Sequence, residues 1–251
     1  MIMWRFDFLF INLIFSLLNI FSLSKVGIHN LGNTCYLNSV IQNLYHAEDF
    51  RNQIICNYSN DDSSSICALK NIFNHLNQLI TANPIKLIEK CGVNIGVQED
   101  AQEFLLKLFE NLEKDIALVD GKSPLDVFTG RSIQYISCKN VNYRKEREEK
   151  FYDISLDISE SSDIIQALHN FFSPVELIGE NMYKTPDYGK QDAIKGQYIS
   201  NLPDVLHIHL KRFSYDFNTD IMKKVITDFY YFFVFCNHII LNRFPRELLF
   251  L

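Results

Sequence analysis

The stretch VGIHNLGNTCYLNSVIQNL, residues 26–44, combines a turn-rich loop with the start of an amphipathic helix. Apolar residues recur in it at i, i+3, i+4 and i+7, namely at Leu37, Val40, Ile41 and Leu44. This spacing predicts a helix with one buried face. Thr34 is an acceptable N-cap, which puts Cys35 in the first helical turn.

Cys35 in that position is a candidate nucleophile. A helix N-terminus carries unpaired N–H groups and a partial positive charge, which favour an anion such as a thiolate, the reactive form of cysteine. The same N–H groups can bind the oxyanion of a tetrahedral intermediate, and the Asn30 side chain can add an amide donor. The alternative is that Cys35 is a small buried apolar residue, a common role for cysteine.

The string from Gly27 to Leu44 resembles the cysteine box of the ubiquitin-specific proteases, a papain-like family of cysteine peptidases. The resemblance implies that Cys35 is the nucleophile and that Asn30 supplies the oxyanion-hole amide. It also implies an α+β fold, with a helical thumb over about 26–125 and an antiparallel sheet of fingers and palm over about 126–225.

The second informative stretch is QEDAQEFLLKLFENLEKDI, residues 98–116, which has one apolar helical stripe. Glu99, Asp100 and Glu103 are predicted in its first turn, where the helix dipole favours acids, and most such residues do no more than cap a helix. The stretch also resembles the second box of the family. That resemblance implies that Asp100 holds the extended C-terminus of ubiquitin and that Gln102 and Glu103 border the same cleft.

From about residue 126 the hydrophobic period changes from 3.6 to 2. The alternation predicts strands over 133–138 and 152–158. Between them, the charged run Lys139–Lys150 is predicted to form a solvated hairpin tip. Residues 164–172 are predicted to form a short helix.

The third box, LPDVLHIHLKRFSYD, residues 202–216, is predicted to contain a strand. Leu206, Ile208 and Leu210 would face one side of the sheet. With no third ligand in view, His207 and His209 are better explained as sheet-surface residues than as metal ligands. By resemblance, Phe213 and Tyr215 line the groove for the ubiquitin tail.

The six cysteines are irregularly spaced and form no CxxC pair, so neither a disulfide framework nor a zinc site is indicated. Reduced thiols in the cytoplasm or nucleus are expected. Only Cys138 matches a zinc-knuckle position of the family, so we predict no structural zinc and no other cofactor. In this respect the run 134–216 most resembles the herpesvirus-associated ubiquitin-specific protease, which has likewise lost the zinc.

A net charge of −6 argues against a general nucleic-acid binder, and the resemblance implies that ubiquitin and ubiquitinated proteins are the partners. Residues 1–25 form an apolar N-terminal segment. It reads either as a signal or anchor or as an error at the start of the predicted gene. Association with a membrane is expected only through residues 6–23.

The resemblance to the family ends at about residue 225, before the end of the palm, and residues 226–251 are predicted to be an unmatched apolar tail. The family takes its general base from a Gly-His-Tyr box downstream of the third box, and no such box follows Phe213. His238 has a different context, and His46 is about three turns from Cys35. We therefore expect a deubiquitinase whose present sequence is incomplete. The alternatives are a non-catalytic ubiquitin-binding fragment and a membrane-tethered interaction protein.

Overall fold

The computed structural model describes residues 26–58, 64–116, 121–216, 220–224 and 238–242. The chain divides into two compact units, with the boundary between Pro124 and Leu125. The first unit is helical and the second consists mainly of strands, so the predicted α+β class is confirmed. The apolar run predicted as a signal or anchor lies outside the described residues.

The described residues of the first unit form five helices, and each turns an apolar face inward. They are α1 (Cys35–His46), α2 (Glu48–Asn57), α3 (Ser65–Asn77), α4 (Ile85–Cys91) and α5 (Ala101–Asp115). Aromatic rings fill much of the space between the helices. Phe50 and Phe73, for example, are both fully buried and pack edge to face with their ring centroids 6.1 Å apart. The periodic residues of the first box, Leu37 to Leu44, are buried as predicted.

The start of α3 is fixed by a hydrogen bond, and a left-handed residue follows its end. Asp115 Oδ2 accepts from the Ser65 backbone N–H at 2.6 Å, which satisfies one donor of the helix start. The apolar periodicity extends to Ile80, but the helix ends at Asn77 because Leu79 adopts a left-handed φ of 58°. Leu79 and Ile80 are exposed, so the periodic pattern overestimates the length of this helix.

A short 3-10 turn, Pro124–Phe128, spans the boundary between the units. The second unit contains the strands β1 to β11 and the helix α6 (Ile164–Phe172). The strands are β1 (Gly130–Cys138), β2 (Arg144–Phe151), β3 (Asp153–Asp157), β4 (Val175–Leu177), β5 (Tyr183–Thr185), β6 (Gly189–Gln191), β7 (Ala193–Asn201), β8 (Val205–Lys211), β9 (Phe213–Asp216), β10 (Ile221–Lys224) and β11 (His238–Asn242).

A four-stranded antiparallel sheet has the order β2-β1-β7-β4. The prediction that the charged run 139–150 is only a hairpin tip was wrong, because residues 144–151 form the edge strand β2. Its charges are stabilised across the strands, as in the pair Arg131–Glu148 at 2.8 Å. Charged side chains on an edge strand are compatible with sheet pairing because one face stays in water.

A second sheet has the order β11-β8-β3, in which β3 and β8 run parallel and β11 pairs antiparallel to β8. Ile154 and Leu156 on β3 pack with Ile208 and Leu210 on β8 and with α6 to form the core of this unit. β9 and β10 form a separate antiparallel pair, and so do β5 and β6.

The prediction that His207 lies on the sheet surface was wrong. Its side chain is 3% exposed, and its ring stacks on Phe128 with centroids 4.9 Å apart. The 3-10 turn therefore covers the face of β8 that the alternation assigned to solvent. His209 is half-buried and lies 2.9 Å from the Ser155 hydroxyl through Nδ1.

Within the described part of the chain, no helix is long and apolar enough to span a membrane. The described residues also contain no group of three or more His, Cys, Asp or Glu side chains arranged as metal ligands. Near Cys138, the rings of Tyr143 and Tyr183 pack together with their centroids 6.1 Å apart.

Candidate active site

The loop that precedes Cys35 is fixed to the rest of the helical unit by backbone hydrogen bonds. His29 donates to the Ala82 carbonyl at 2.9 Å, and Ala82 donates back to Gly27 at 3.2 Å. The Asn38 side-chain amide, from the first turns of α1, donates to the carbonyls of Ile28 and His29. The loop is thus held both by a neighbouring segment and by its own helix.

A second set of contacts fixes the turn at Gly32 and Asn33. The Asn33 backbone N–H donates to the Ile95 carbonyl at 3.0 Å, and its side chain donates to Gly96 at 2.9 Å. Gly32 has a φ of +123°, and a Cβ there would lie 2.9 Å from the Ile95 oxygen. Only glycine combines this backbone conformation with such a close approach.

Cys35 is the first residue of α1, as predicted, and it is exposed. The amide groups of the first helical turn have no intrahelical acceptor, so they can donate to an oxyanion that forms beside Cys35. Cys56 is also exposed, at the C-terminal end of α2. Cys91 is buried, and burial raises the pKa of its thiol to about 11, which makes it a poor nucleophile.

Thr34 occupies the N-cap position, as predicted, but its side chain makes no capping hydrogen bond. Its hydroxyl instead accepts from the Leu31 N–H at 3.0 Å and bonds to Asn30 Oδ1 at 2.9 Å. Asn30 Oδ1 also accepts from the Thr34 N–H at 3.3 Å. Because the amide oxygen is used inside the loop, Nδ2 is the end of Asn30 that can donate to a ligand.

Asp100 is the N-cap of α5 rather than a residue of its first turn. Its Oδ1 accepts from the backbone N–H groups of Gln102 at 2.7 Å and Glu103 at 3.4 Å. The side chains of Asp100 and Glu103 are exposed, and Gln102 is half-buried. α5 packs against α1 through the edge-to-face contact of Tyr36 and Phe104, whose centroids are 5.8 Å apart.

Tyr36 and Glu99 are two residues beside this site that the sequence analysis did not assign to it. Tyr36 is 6% exposed. Burial, with smaller contributions from the Glu99 carboxylate and the Cys35 thiol, raises the pKa of Tyr36 to about 12. The i+4 spacing of Tyr36 and Val40 indicates an apolar helix face, but this pattern does not predict which groups surround the Tyr36 hydroxyl.

Phe213 and Tyr215 lie on β9 of the second unit, where Tyr215 pairs with Met222 of β10. The Phe213 side chain is 51% exposed.

Three histidines are candidates for the general base. His46 is the last residue of α1, at the opposite end from Cys35, and burial together with Arg51 lowers the pKa of His46. His29 is exposed in the loop before Cys35. His238 begins β11 and pairs with His209 of β8. We assign none of these three histidines to the proton transfer.

Comparison with known proteins assigns the chain to a class. The family described as ubiquitin carboxyl-terminal hydrolase matches residues 26–245, a range that contains all three boxes and most of both units of the fold. The chain therefore belongs to the ubiquitin carboxyl-terminal hydrolase family. The match continues past residue 225, at which we predicted that the resemblance ends, and it includes β11.

Individual relatives agree with this assignment. Ubiquitin carboxyl-terminal hydrolase 7 of Drosophila melanogaster is 35% identical over 233 residues, which cover 88% of this chain and 20% of the relative. Ubiquitin carboxyl-terminal hydrolase 15 of Saccharomyces cerevisiae is 36% identical over 209 residues, which cover 80% of this chain and 17% of the relative. Ubiquitin C-terminal hydrolase 12 of Arabidopsis thaliana is 36% identical over 210 residues, which cover 80% of this chain and 19% of the relative. The chain thus spans about a fifth of the length of these relatives.

Proposed function

We propose that this chain carries the thiol part of a deubiquitinase, which hydrolyses the bond after the C-terminal glycine of ubiquitin in conjugates. The observation that carries the proposal is the exposed Cys35 at the first residue of α1, behind a loop fixed by backbone bonds to Ala82 and Ile95. A nucleophile held in this way loses little freedom on reaction. Membership of the family supplies the substrate class.

In the proposed reaction, Cys35 Sγ attacks the carbonyl carbon of the last glycine. A C–S bond forms, the C–N bond to the conjugated amine breaks, and the amine leaves with a proton. Water then hydrolyses the thioester, which releases the ubiquitin carboxylate and restores the thiol. The N–H groups of the first turn of α1 and the Asn30 Nδ2 group stabilise the negative oxygen in both steps.

We assign the binding of the extended ubiquitin tail to residues from both units. Asp100, Gln102 and Glu103 at the start of α5 offer acceptors for the backbone N–H groups and the arginines of the tail. Phe213, exposed on β9, offers apolar surface, and Tyr215 of the same strand is assigned to the same groove. In this assignment the helices up to about residue 125 are the thumb, and the strands to about 225 are the fingers and palm.

We also propose the cytoplasm or nucleus as the location of this activity, because the cysteines lack the regular spacing of a disulfide framework. Ubiquitin and ubiquitinated proteins are the proposed partners.

The test is covalent labelling of the full 251-residue chain by ubiquitin with a C-terminal vinyl methyl ester, followed by peptide mass spectrometry. We expect one adduct, on Cys35, and none in Cys35→Ala. The matched control is Cys56→Ala, since Cys56 is the other exposed thiol noted above and should be dispensable. Labelling at Cys56 instead, or equal labelling of Cys35→Ala, would reject the assignment.

Turnover of a fluorogenic ubiquitin amide separates the enzyme from a binding fragment. A chain that labels at Cys35 and releases the fluorophore is a deubiquitinase. One that binds ubiquitin without release is the non-catalytic fragment, because a missing general base costs about 10²–10⁴-fold or more in rate.

A further inference from the structure

The Tyr36 hydroxyl is a buried polar group that no hydrogen bond satisfies among the described residues. Its ring is held by Phe104 of α5, and the whole residue is only 6% exposed. Buried hydroxyls are normally hydrogen-bonded, because an unmade bond is unfavourable once water is excluded. This unsatisfied hydroxyl belongs to the residue that follows the candidate nucleophile, so a role in the site would be a reason for its cost.

Two functional groups lie beside that hydroxyl, the Glu99 carboxylate and the Cys35 thiol, and both act on it electrostatically. Hydrogen bonding toward Glu99 contributes to the raised pKa of Tyr36, but no bond of standard length and angle is formed by the hydroxyl with the described residues. With its pKa raised to about 12, Tyr36 keeps its proton at neutral pH and can donate it. Glu99 is half-buried, and its carboxylate can accept that hydrogen bond.

Glu99 is also joined to the proposed tail-binding site through the chain. It directly precedes Asp100, whose carboxylate caps α5. Tyr36 directly follows Cys35, in the first turn of α1. A bond between Tyr36 and Glu99 would therefore connect the nucleophile's turn to the residue that anchors the tail.

We propose that Tyr36 is a positioning residue, whose hydroxyl donates to the Glu99 carboxylate when the ubiquitin tail is bound and so sets Asp100 against Cys35. The inference rests on the proposed function. The unmade bond of the free chain is completed in the complex, so its energy is realised only when the substrate is in place. Tyr36 contacts no reacting atom in this scheme and acts through Glu99 and Asp100.

Tyr45 on the same helix provides a matched comparison. It is 2% exposed, and its hydroxyl donates to Asn77 Oδ1 at 2.7 Å. Tyr45→Phe should therefore destabilise the free chain, because it leaves the Asn77 acceptor without its donor. Tyr36→Phe removes an unsatisfied group, so the free chain should be as stable as the wild type or more stable.

The experiment combines two measurements on the full chain. Urea unfolding gives the midpoint of each free variant, and the vinyl methyl ester of ubiquitin gives the rate constant and the apparent affinity of Cys35 labelling. Tyr36→Phe should have an equal or higher urea midpoint and an about 10-fold lower labelling rate constant at saturating probe. Tyr45→Phe should show the opposite pattern, with a lower midpoint and an unchanged rate constant.

Variants of Glu99 test the partner. Glu99→Ala should reproduce the loss seen in Tyr36→Phe, and the double variant should lose no more than either single one. Glu99→Gln should stay within about threefold of the wild type, because its amide oxygen still accepts a hydrogen bond.

Three outcomes would overturn the inference: a lowered urea midpoint of Tyr36→Phe, an unchanged labelling rate constant of that variant, or losses that multiply in the double variant. If the wild-type chain itself is not labelled at Cys35, the proposed function fails and this inference fails with it. If the wild type is labelled and Tyr36→Phe is labelled equally fast, only this inference fails.

Discussion

Replacing Asp100 tests two roles that one side chain combines. Asp100→Ala removes both hydrogen bonds that cap α5, of which the bond to Gln102 is short at 2.7 Å and the bond to Glu103 is long at 3.4 Å. Loss of an N-cap costs about 0.5–2 kcal/mol. With one good bond and one weak bond, we expect the free energy of unfolding to fall by about 1 kcal/mol.

Asp100→Ser separates this effect from binding. Serine caps helices about as well as aspartate, so the free energy of unfolding should stay within about 0.5 kcal/mol of the wild type. If the carboxylate holds the ubiquitin tail, serine and alanine should weaken the affinity alike. Removing a charged acceptor from a binding site costs on the order of 2–5 kcal/mol. Because Asp100 is exposed, we expect the lower end, which is about a 30-fold weaker affinity.

The assay is urea unfolding of both variants, with ubiquitin affinity measured by fluorescence anisotropy in a Cys35→Ala background so that no reaction interferes. Equal destabilisation by serine and alanine would refute the capping argument. Unchanged ubiquitin binding by both variants would refute the tail-binding role. Weak binding by alanine alone would mean that Asp100 acts only through the start of α5.

Three further predictions concern other residues. Gly32→Ala should slow Cys35 labelling and destabilise the chain by about 1–3 kcal/mol, because the new Cβ would lie 2.9 Å from the Ile95 oxygen at a strained φ. Gly27→Ala is the control, because a Cβ at Gly27 would have no atom within 4 Å. Equal effects of the two substitutions would contradict the argument. Phe128→Ala should lower the free energy of unfolding by about 3–5 kcal/mol in urea, since the ring is fully buried on His207, and a loss below about 1 kcal/mol would contradict this packing. Burial raises the pKa of Tyr36 from its usual value of 10 to about 12, so its titration leaves the free energy of unfolding unchanged below about pH 10. Between pH 10 and about 12 the free energy of unfolding falls, because the native state holds a proton that the unfolded chain has released. Tyr36→Phe should therefore lose less stability than the wild type between pH 10 and 12 in urea titrations, and parallel curves would be evidence against it.

Local patterns in the sequence predicted most of the helical unit. The spacing of Leu37 to Leu44 required a helix, and the turn-forming residues before it required that the helix begin near Thr34. Cys35 was therefore predicted at the start of α1 from local chemistry alone. The role of the Thr34 hydroxyl was not, because whether it caps the helix or bonds to Asn30 depends on how the loop is held by Ala82 and Ile95.

Long-range packing accounts for the main errors. The alternation on β8 is real, but it does not reveal that Phe128, far away in the chain, covers the face on which His207 lies. The charges of β2 suggested solvent, yet an edge strand tolerates them while its backbone pairs with β1. Similarly, the acids before α5 suggested a cap, whereas the neighbourhood of Glu99 and the Tyr36 hydroxyl exists only after α1 and α5 have packed.

The parallel pairing of β3 and β8 has a consequence for biosynthesis. Ile154 pairs with Ile208, so the two strands are separated by about 50 residues of intervening chain. At a translation rate of about 5–20 residues per second, β3 would leave the ribosome roughly 3–10 s before its partner strand. During that interval Ile154 and Leu156 lack the strand that buries them, whereas the helical unit has already been synthesised. Nascent chains in which β3 but not β8 has left the ribosome should therefore bind chaperones through this second unit, and chains in which β8 has also emerged should release them.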